Sequence, residues 1–132
     1  MIAANNLAWL YAVNGKGNLD EAVRLAQSVV QNPNIPGFVD TLGWVYYKKG
    51  LYGAAVEQLK KAVELDERHA KVSNGTPAPN YQYHLGMALK ARGERDTARR
   101  ALEQALRLSE KAPFTEADEA RNALTNRFNE VV

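Results

Sequence analysis

The sequence predicts an all-α fold built from repeated helical hairpins, and three observations carry that reading. Apolar residues recur at three- and four-residue spacing along most of the chain, as they do in helices with one buried face. The runs are short and broken at glycine, so they form pairs of helices joined by tight turns. The same pair then occurs three times, which points to a stacked array.

The middle pair, residues 38–65, is the clearest. Val39, Leu42, Val45 and Tyr46 line one helix face, and after Lys48-Lys49-Gly50 the set Ala55, Val56, Leu59, Ala62 and Val63 lines a second. Aligning Gly43 with Gly86 brings Leu42 onto Leu85, Ala55 onto Ala98, Leu59 onto Leu102 and Ala62 onto Ala105. The turns at Gly50 and Gly93 coincide as well. An upstream copy sets Leu7-Ala8 on Leu42-Gly43, Tyr11 on Tyr46 and Ala22 on Ala55, with two extra residues in its turn, where Asn18 or Asp20 can cap the second helix. Small residues at Ala8, Gly43 and Gly86 let each first helix approach its second, where Ala22, Ala55 and Ala98 face it. Leucine at Gly43 or Ala55 would overpack the hairpin by about 1–3 kcal/mol.

Leu42-Gly43, Tyr46, Gly50, Tyr52, Ala55, Leu59 and Ala62 resemble the tetratricopeptide repeat, a helix-turn-helix of about 34 residues. The tryptophan falls at the ninth repeat position rather than the fourth, and Glu67 and Glu110 stand where the motif closes on proline. The resemblance implies a right-handed superhelical array of three hairpins plus a C-terminal capping helix, seven helices in all, in one domain over residues 1–132. The repeats fall at about residues 1–35, 36–69 and 79–112, with an insertion at 70–78 and a terminal helix at about 114–130. The helix before the insertion is expected to reach about Lys71, Asn74-Gly75 to turn the chain, and Pro79 to open the next helix. Ala117, Ala120, Leu124 and Phe128 form the apolar stripe of the terminal helix.

Composition narrows the function. The chain has 132 residues, is 45% apolar and 24% charged, and carries a formal charge of +2, too little to argue for nucleic acid or an anionic membrane. It has no cysteine, hence no disulfide or thiolate chemistry. No apolar run approaches the roughly 18 residues of a membrane span. The opening MIAANNLAWLYAV has no basic leader and is broken by Asn5 and Asn6, so it does not read as a signal peptide. It starts in mid-pattern without a capping residue, which suggests a segment of a longer array and leaves apolar surface for self-association. The reading is of a soluble chain, cytoplasmic or periplasmic, the compartment being left open.

Nothing in the pattern supports catalysis, a cofactor or a metal. His69 and His84 lack a second ligand at metal spacing, and Gly15-Lys16-Gly17 lacks the rest of a phosphate loop. Glu57, Lys60, Lys61 and Glu64 read as surface ion pairing. Residues 70–112 carry a net charge of +4, and Arg92, Arg95, Arg99, Arg100 and Arg107 give residues 92–107 a basic face, the alternative route to a polyanion or nucleic acid. No aromatic residues alternate with these arginines, as stacking on bases would require.

The main functional expectation is a non-enzymatic scaffold that binds a peptide segment or partner protein in its concave groove, with a structural segment of a longer array as the other alternative. The resemblance implies that ligand-facing positions lie on the first helix of each repeat. Carried over, they are Asn5, Trp9 and Val13; Asp40, Trp44, Tyr47 and Lys48; and Asn80, Tyr83, Met87 and Lys90. Trp9 and Trp44 share one repeat position, and two uses fit them equally: inter-repeat core, or aromatic anchors of a peptide groove. Tetratricopeptide domains that grip a terminal carboxylate place Lys, Asn and Arg at these positions; Asp40 here would repel one, so tight binding of such tails is not expected. The strings NNLAWLYA and FVDTLGWVYYKKG also resemble bacterial multi-repeat proteins associated with exopolysaccharide export or exosortase systems.

Overall fold

Proline at the start and glycine at the end frame the helices that the periodicity marks out. The computed structural model describes residues 1–14, 18–31 and 35–126. Seven helices, and no strand among the described residues, make it all-α: α1 Ile2–Asn14, α2 Leu19–Val29, α3 Pro36–Lys48, α4 Tyr52–Ser73, α5 Pro79–Arg92, α6 Arg95–Leu108 and α7 Ala117–Asn126. Pro36 and Pro79 open α3 and α5, where the missing N–H costs no helical bond.

Three helices end on one device. After α3, Gly50 takes a left-handed φ of 81°, its N–H donates to the Tyr47 carbonyl at 3.0 Å, and the Leu51 N–H donates to Tyr46 at 2.9 Å. After α5, Gly93 does the same at φ 93°, with Glu94 N–H donating to Leu89 at 2.9 Å. After α4 the left-handed residue is Asn74, φ 57°, and Gly75 N–H donates to Ala70 at 2.7 Å. These paired bonds satisfy carbonyls that a helix end leaves open and turn the chain sharply. α4 therefore runs two residues past the expected Lys71, absorbing the first part of the insertion as helix. The rest is tied down where the Ala78 N–H donates to the half-buried Asp66 carboxylate at 2.7 Å, just ahead of α5.

The chain divides into two compact units, Met1–Leu65 and Asp66–Val132, with the boundary inside α4. In the first, α1 packs on α2 and α3, and α2 packs on α3. Its core is built of Ala8, Ala12, Ala22, Ala26, Val45, Val56 and Leu59. In the second, α5 packs on α6 and α6 on α7, around Ala88, Leu89, Ala98, Leu102, Ala105 and Ala120.

The start of α2 differs in detail from the expectation. Asn18 does occupy the N-cap position, but at φ −110° and ψ 13° its side chain makes no capping bond. Asp20 is instead in the first turn and pairs with Lys49. The last helix begins at Ala117, with Phe114 in the connection before it. Gly15, Lys16 and Gly17, and the expected end of the terminal helix with Phe128, lie outside the described residues.

Candidate partner-binding surface

On α3, positions 44, 47 and 48 are three and four apart and so share a helix face. The Trp44 and Tyr47 rings stack with centroids 4.5 Å apart and planes within 10°. Lys48 closes the group, its Nζ lying 5.2 Å from the Trp44 ring centre and 6.0 Å from that of Tyr47, a cation–π arrangement. The Tyr47 ring also meets Tyr52 at 5.8 Å, across the turn at the start of α4. Burial divides this cluster. Trp44 is only 7% exposed and Asp40 4%, whereas Tyr47 is half-buried and Lys48 and Tyr52 are exposed. Trp44 thus backs the surface, and Tyr47, Lys48 and Tyr52 present it. Sequence reasoning left Tyr52 out, although its place immediately after the Gly50 turn brings it beside the end of α3.

In the first repeat, Asn5 and Trp9 are half-buried on α1, Val13 is exposed, and the Asn5 side-chain oxygen is enclosed without a hydrogen-bond donor among the described residues. In the third, Asn80 and Met87 are half-buried and Tyr83 is buried. Tyr83 meets Phe114 at 5.9 Å and His84 at 5.6 Å, ring centre to ring centre. Lys90 donates to the Ala123 carbonyl of α7 at 2.8 Å. The segment after α6 therefore engages two of the four positions named for this repeat.

The basic stretch is partly occupied by its own neighbours. Arg92 pairs with Glu94 at 3.4 Å, and Arg107 donates to the Gln104 side chain at 2.8 and 3.0 Å. Arg95, Arg99 and Arg100 are exposed along α6. Among the described residues no three His, Cys, Asp or Glu side chains are grouped to hold a metal, and no helix is long and apolar enough to cross a membrane.

Where Gly43 passes Leu59, an added Cβ would lie 2.6 Å from the leucine Cγ, and at Gly86 it would lie 2.7 Å from that of Leu102. The two hairpins thus share one packing contact at one register. Family models described as tetratricopeptide repeat match residues 40–69 and residues 80–112. The chain carries tetratricopeptide repeats. Solved structures agree in fold. The translocator chaperone SycD of Yersinia enterocolitica type III secretion, in a structure titled an alternative dimer, superimposes with a TM-score of 0.77 at 19% identity, over 98% of this chain and 93% of that one. A second structure of SycD gives 0.76 at 19% identity, over 98% and 85%. A T3SS complex from Aeromonas hydrophila gives 0.74 at 18% identity, over 98% and 84%. No curated protein matches the chain in sequence. In tetratricopeptide terms, α3 with α4 and α5 with α6 are the two matched hairpins, and Tyr47 and Lys48 sit at the end of a first helix.

Proposed function

We propose that this chain is a non-enzymatic scaffold that binds a peptide segment of a partner protein, with the Tyr47, Lys48 and Tyr52 surface as its main contact. The observation that supports this is the stacked Trp44–Tyr47 pair with the Lys48 ammonium over it. A half-buried tyrosine held by a buried tryptophan is rigid, so a ligand meets it at little cost in conformational entropy. Aromatic side chains of this kind supply much of the binding energy at protein interfaces. Lys48 favours an acidic residue in the peptide, and Tyr47 with Tyr52 favour an apolar or proline residue beside it. Trp9, which shares the repeat position of Trp44, and Asn5, with its undonated oxygen, extend the proposed contact on α1. A protein partner also accords with neighbours in fold that include a translocator chaperone.

Selection from a displayed random peptide library tests this. Peptides chosen by the wild type should lose about tenfold or more in affinity for Tyr47→Ala and for Lys48→Glu, with helicity unchanged. Peptides that bind all three proteins equally would sink the assignment.

Self-association is a second reading, favoured by the exposed Met1, Ile2, Leu7, Leu10 and Val13 of the first helix and its N-terminus. A neighbour titled as a dimer is in keeping with it.

A further inference from the structure

We infer that Asn74 is a modification site: its side chain closes on the Gly75 amide and is converted to aspartate and isoaspartate when the cap that ends α4 opens. The reacting groups are adjacent in sequence. Gly75 has no side chain, which leaves its backbone nitrogen open to approach from Asn74. Residues 71–76 are all exposed.

Three helices end on the same kind of cap, and the one at Asn74 is the loosest. At Gly50 and Gly93 the left-handed residue donates its N–H back to the helix at 3.0 Å in both cases. At Asn74 the matching bond, to the Lys71 carbonyl, is 3.4 Å, beyond the ordinary range. The left-handed residue is glycine in the first two and carries a Cβ in the third, which costs free energy that glycine does not. The next residue, whose side chain commonly packs back on the helix, is Leu51 or Glu94 in the first two. Here it is Gly75, so that contact cannot form. Val72 in the last turn is 90% exposed and contributes little packing. Helix ends held in this way open locally at small cost.

What remains is the bond from the Gly75 N–H to the Ala70 carbonyl at 2.7 Å. Its nitrogen is the one that must attack, so this bond is a latch on the reaction. When the cap frays, solvent base takes the Gly75 amide proton and the nitrogen adds to Asn74 Cγ. The Cγ–Nδ2 bond breaks, Nδ2 leaves as ammonia, and a cyclic imide closes. Water then opens the imide. Attack at Cγ leaves aspartate on the original main chain. Attack at the main-chain carbonyl carbon leaves isoaspartate, with the chain routed through the side chain and lengthened by a carbon. Either product sets a carboxylate at the negative end of α4. Isoaspartate also shifts the Gly75 N–H out of register with Ala70, so the cap does not re-form.

Peptide mapping of the full chain, held at mildly alkaline pH and sampled over time, tests this. The segment between Lys71 and Lys90 should gain the mass of an amide turned to an acid, with isoaspartate in excess at Asn74. Asn80, which precedes Tyr81, should stay unchanged. Mapping also separates Asn74 from Asn14, the other asparagine that precedes a glycine. The folded chain should react about tenfold more slowly than the chain unfolded in urea, the protection given by about one hydrogen bond. Lys71→Gly loosens the last turn of α4 without touching the reacting pair. It should speed the reaction about threefold in the folded chain and leave the unfolded chain unchanged. An Asn74 that stays intact in the folded chain while the unfolded chain reacts overturns the inference, because the cap would then never open. Equal rates in the folded and unfolded chain, or a folded Lys71→Gly chain no faster than the wild type, overturn it as well, because the cap would not control the reaction.

Discussion

Gly43 lies so close to Leu59 that a Cβ on the glycine would stand 2.6 Å from the leucine Cγ and 3.2 Å from its backbone nitrogen. Leu59 is fully buried, and its backbone nitrogen belongs to α4, so it cannot swing aside as a side-chain tip could. Gly43→Ala should therefore push the two helices apart and destabilise by about 1–3 kcal/mol, read from urea unfolding followed by circular dichroism. Leu59→Ala should cost about 2–5 kcal/mol by leaving a cavity. The double variant should cost less than the two changes together, because truncation removes the crowding Cγ and Cδ2. Strict additivity would mean that the contact does not set the helix spacing.

Two glycines of the same hairpin should respond with opposite signs. Gly50 meets nothing within 4 Å of an added Cβ but sits at φ 81°. Gly50→Ala should cost about 1–2 kcal/mol in backbone strain alone. Gly53 also has open space, and it lies in ordinary helical backbone near the start of α4. Gly53→Ala should stabilise by about 0.4–1 kcal/mol, since the unfolded chain loses freedom it would otherwise regain. Thermal melts of the two variants against the wild type check both signs.

The hairpins were legible because their constraints are local and repeated. A glycine that must pass a leucine, a proline at N1 and a glycine in the left-handed turn leave marks at fixed offsets, and Gly43, Pro36 and Gly50 recur as Gly86, Pro79 and Gly93. The candidate surface was less legible. α3 is apolar nearly all round, so periodicity could not say that Trp44 is covered while Tyr47 keeps an open edge. Repeat position names the side chains that share a face, but burial depends on what lies over that face. The Lys90 bond to the Ala123 carbonyl reaches 33 residues along the chain to a main-chain atom, and no side-chain pattern encodes such a partner. Tyr52 joined the cluster through the turn geometry, which a helical-face argument confined to α3 does not see.

The Glu21–Arg24 pair on α2 gives a pH-dependent signal with little effect on stability. Arg24 Nε donates to a Glu21 carboxylate oxygen at 2.8 Å and a second guanidinium nitrogen bonds the other oxygen. That hydrogen bonding holds the Glu21 carboxyl below its ordinary range, outweighing the opposing desolvation, and the opposite charge of Arg24 adds the least. The contribution is therefore present above the ordinary carboxylate range and is lost as pH falls through the lowered folded value. The same pairing raises Arg24, which stays protonated throughout. An NMR titration should show the Glu21 carboxyl returning toward its ordinary value in Arg24→Gln. Both groups face water, so the unfolding midpoint at neutral pH should barely move. A Glu21 titration that is unchanged in Arg24→Gln would show that the pair does not persist in solution.

Lys90 was named for a ligand-facing position, yet its ammonium donates to the Ala123 carbonyl at 2.8 Å and so ties α5 to α7. Lys90→Met keeps the apolar stem of the side chain while removing this charge-assisted bond. The expected result is faster amide exchange along α7 and a loss of about 1–2 kcal/mol in stability. Exchange in α1 to α3, which belong to the other unit, should not change. Peptides selected by the wild type should still bind, because the proposed contact lies on Tyr47, Lys48 and Tyr52. If instead α7 exchanges as before and those peptides are lost, Lys90 serves the ligand rather than the terminal helix.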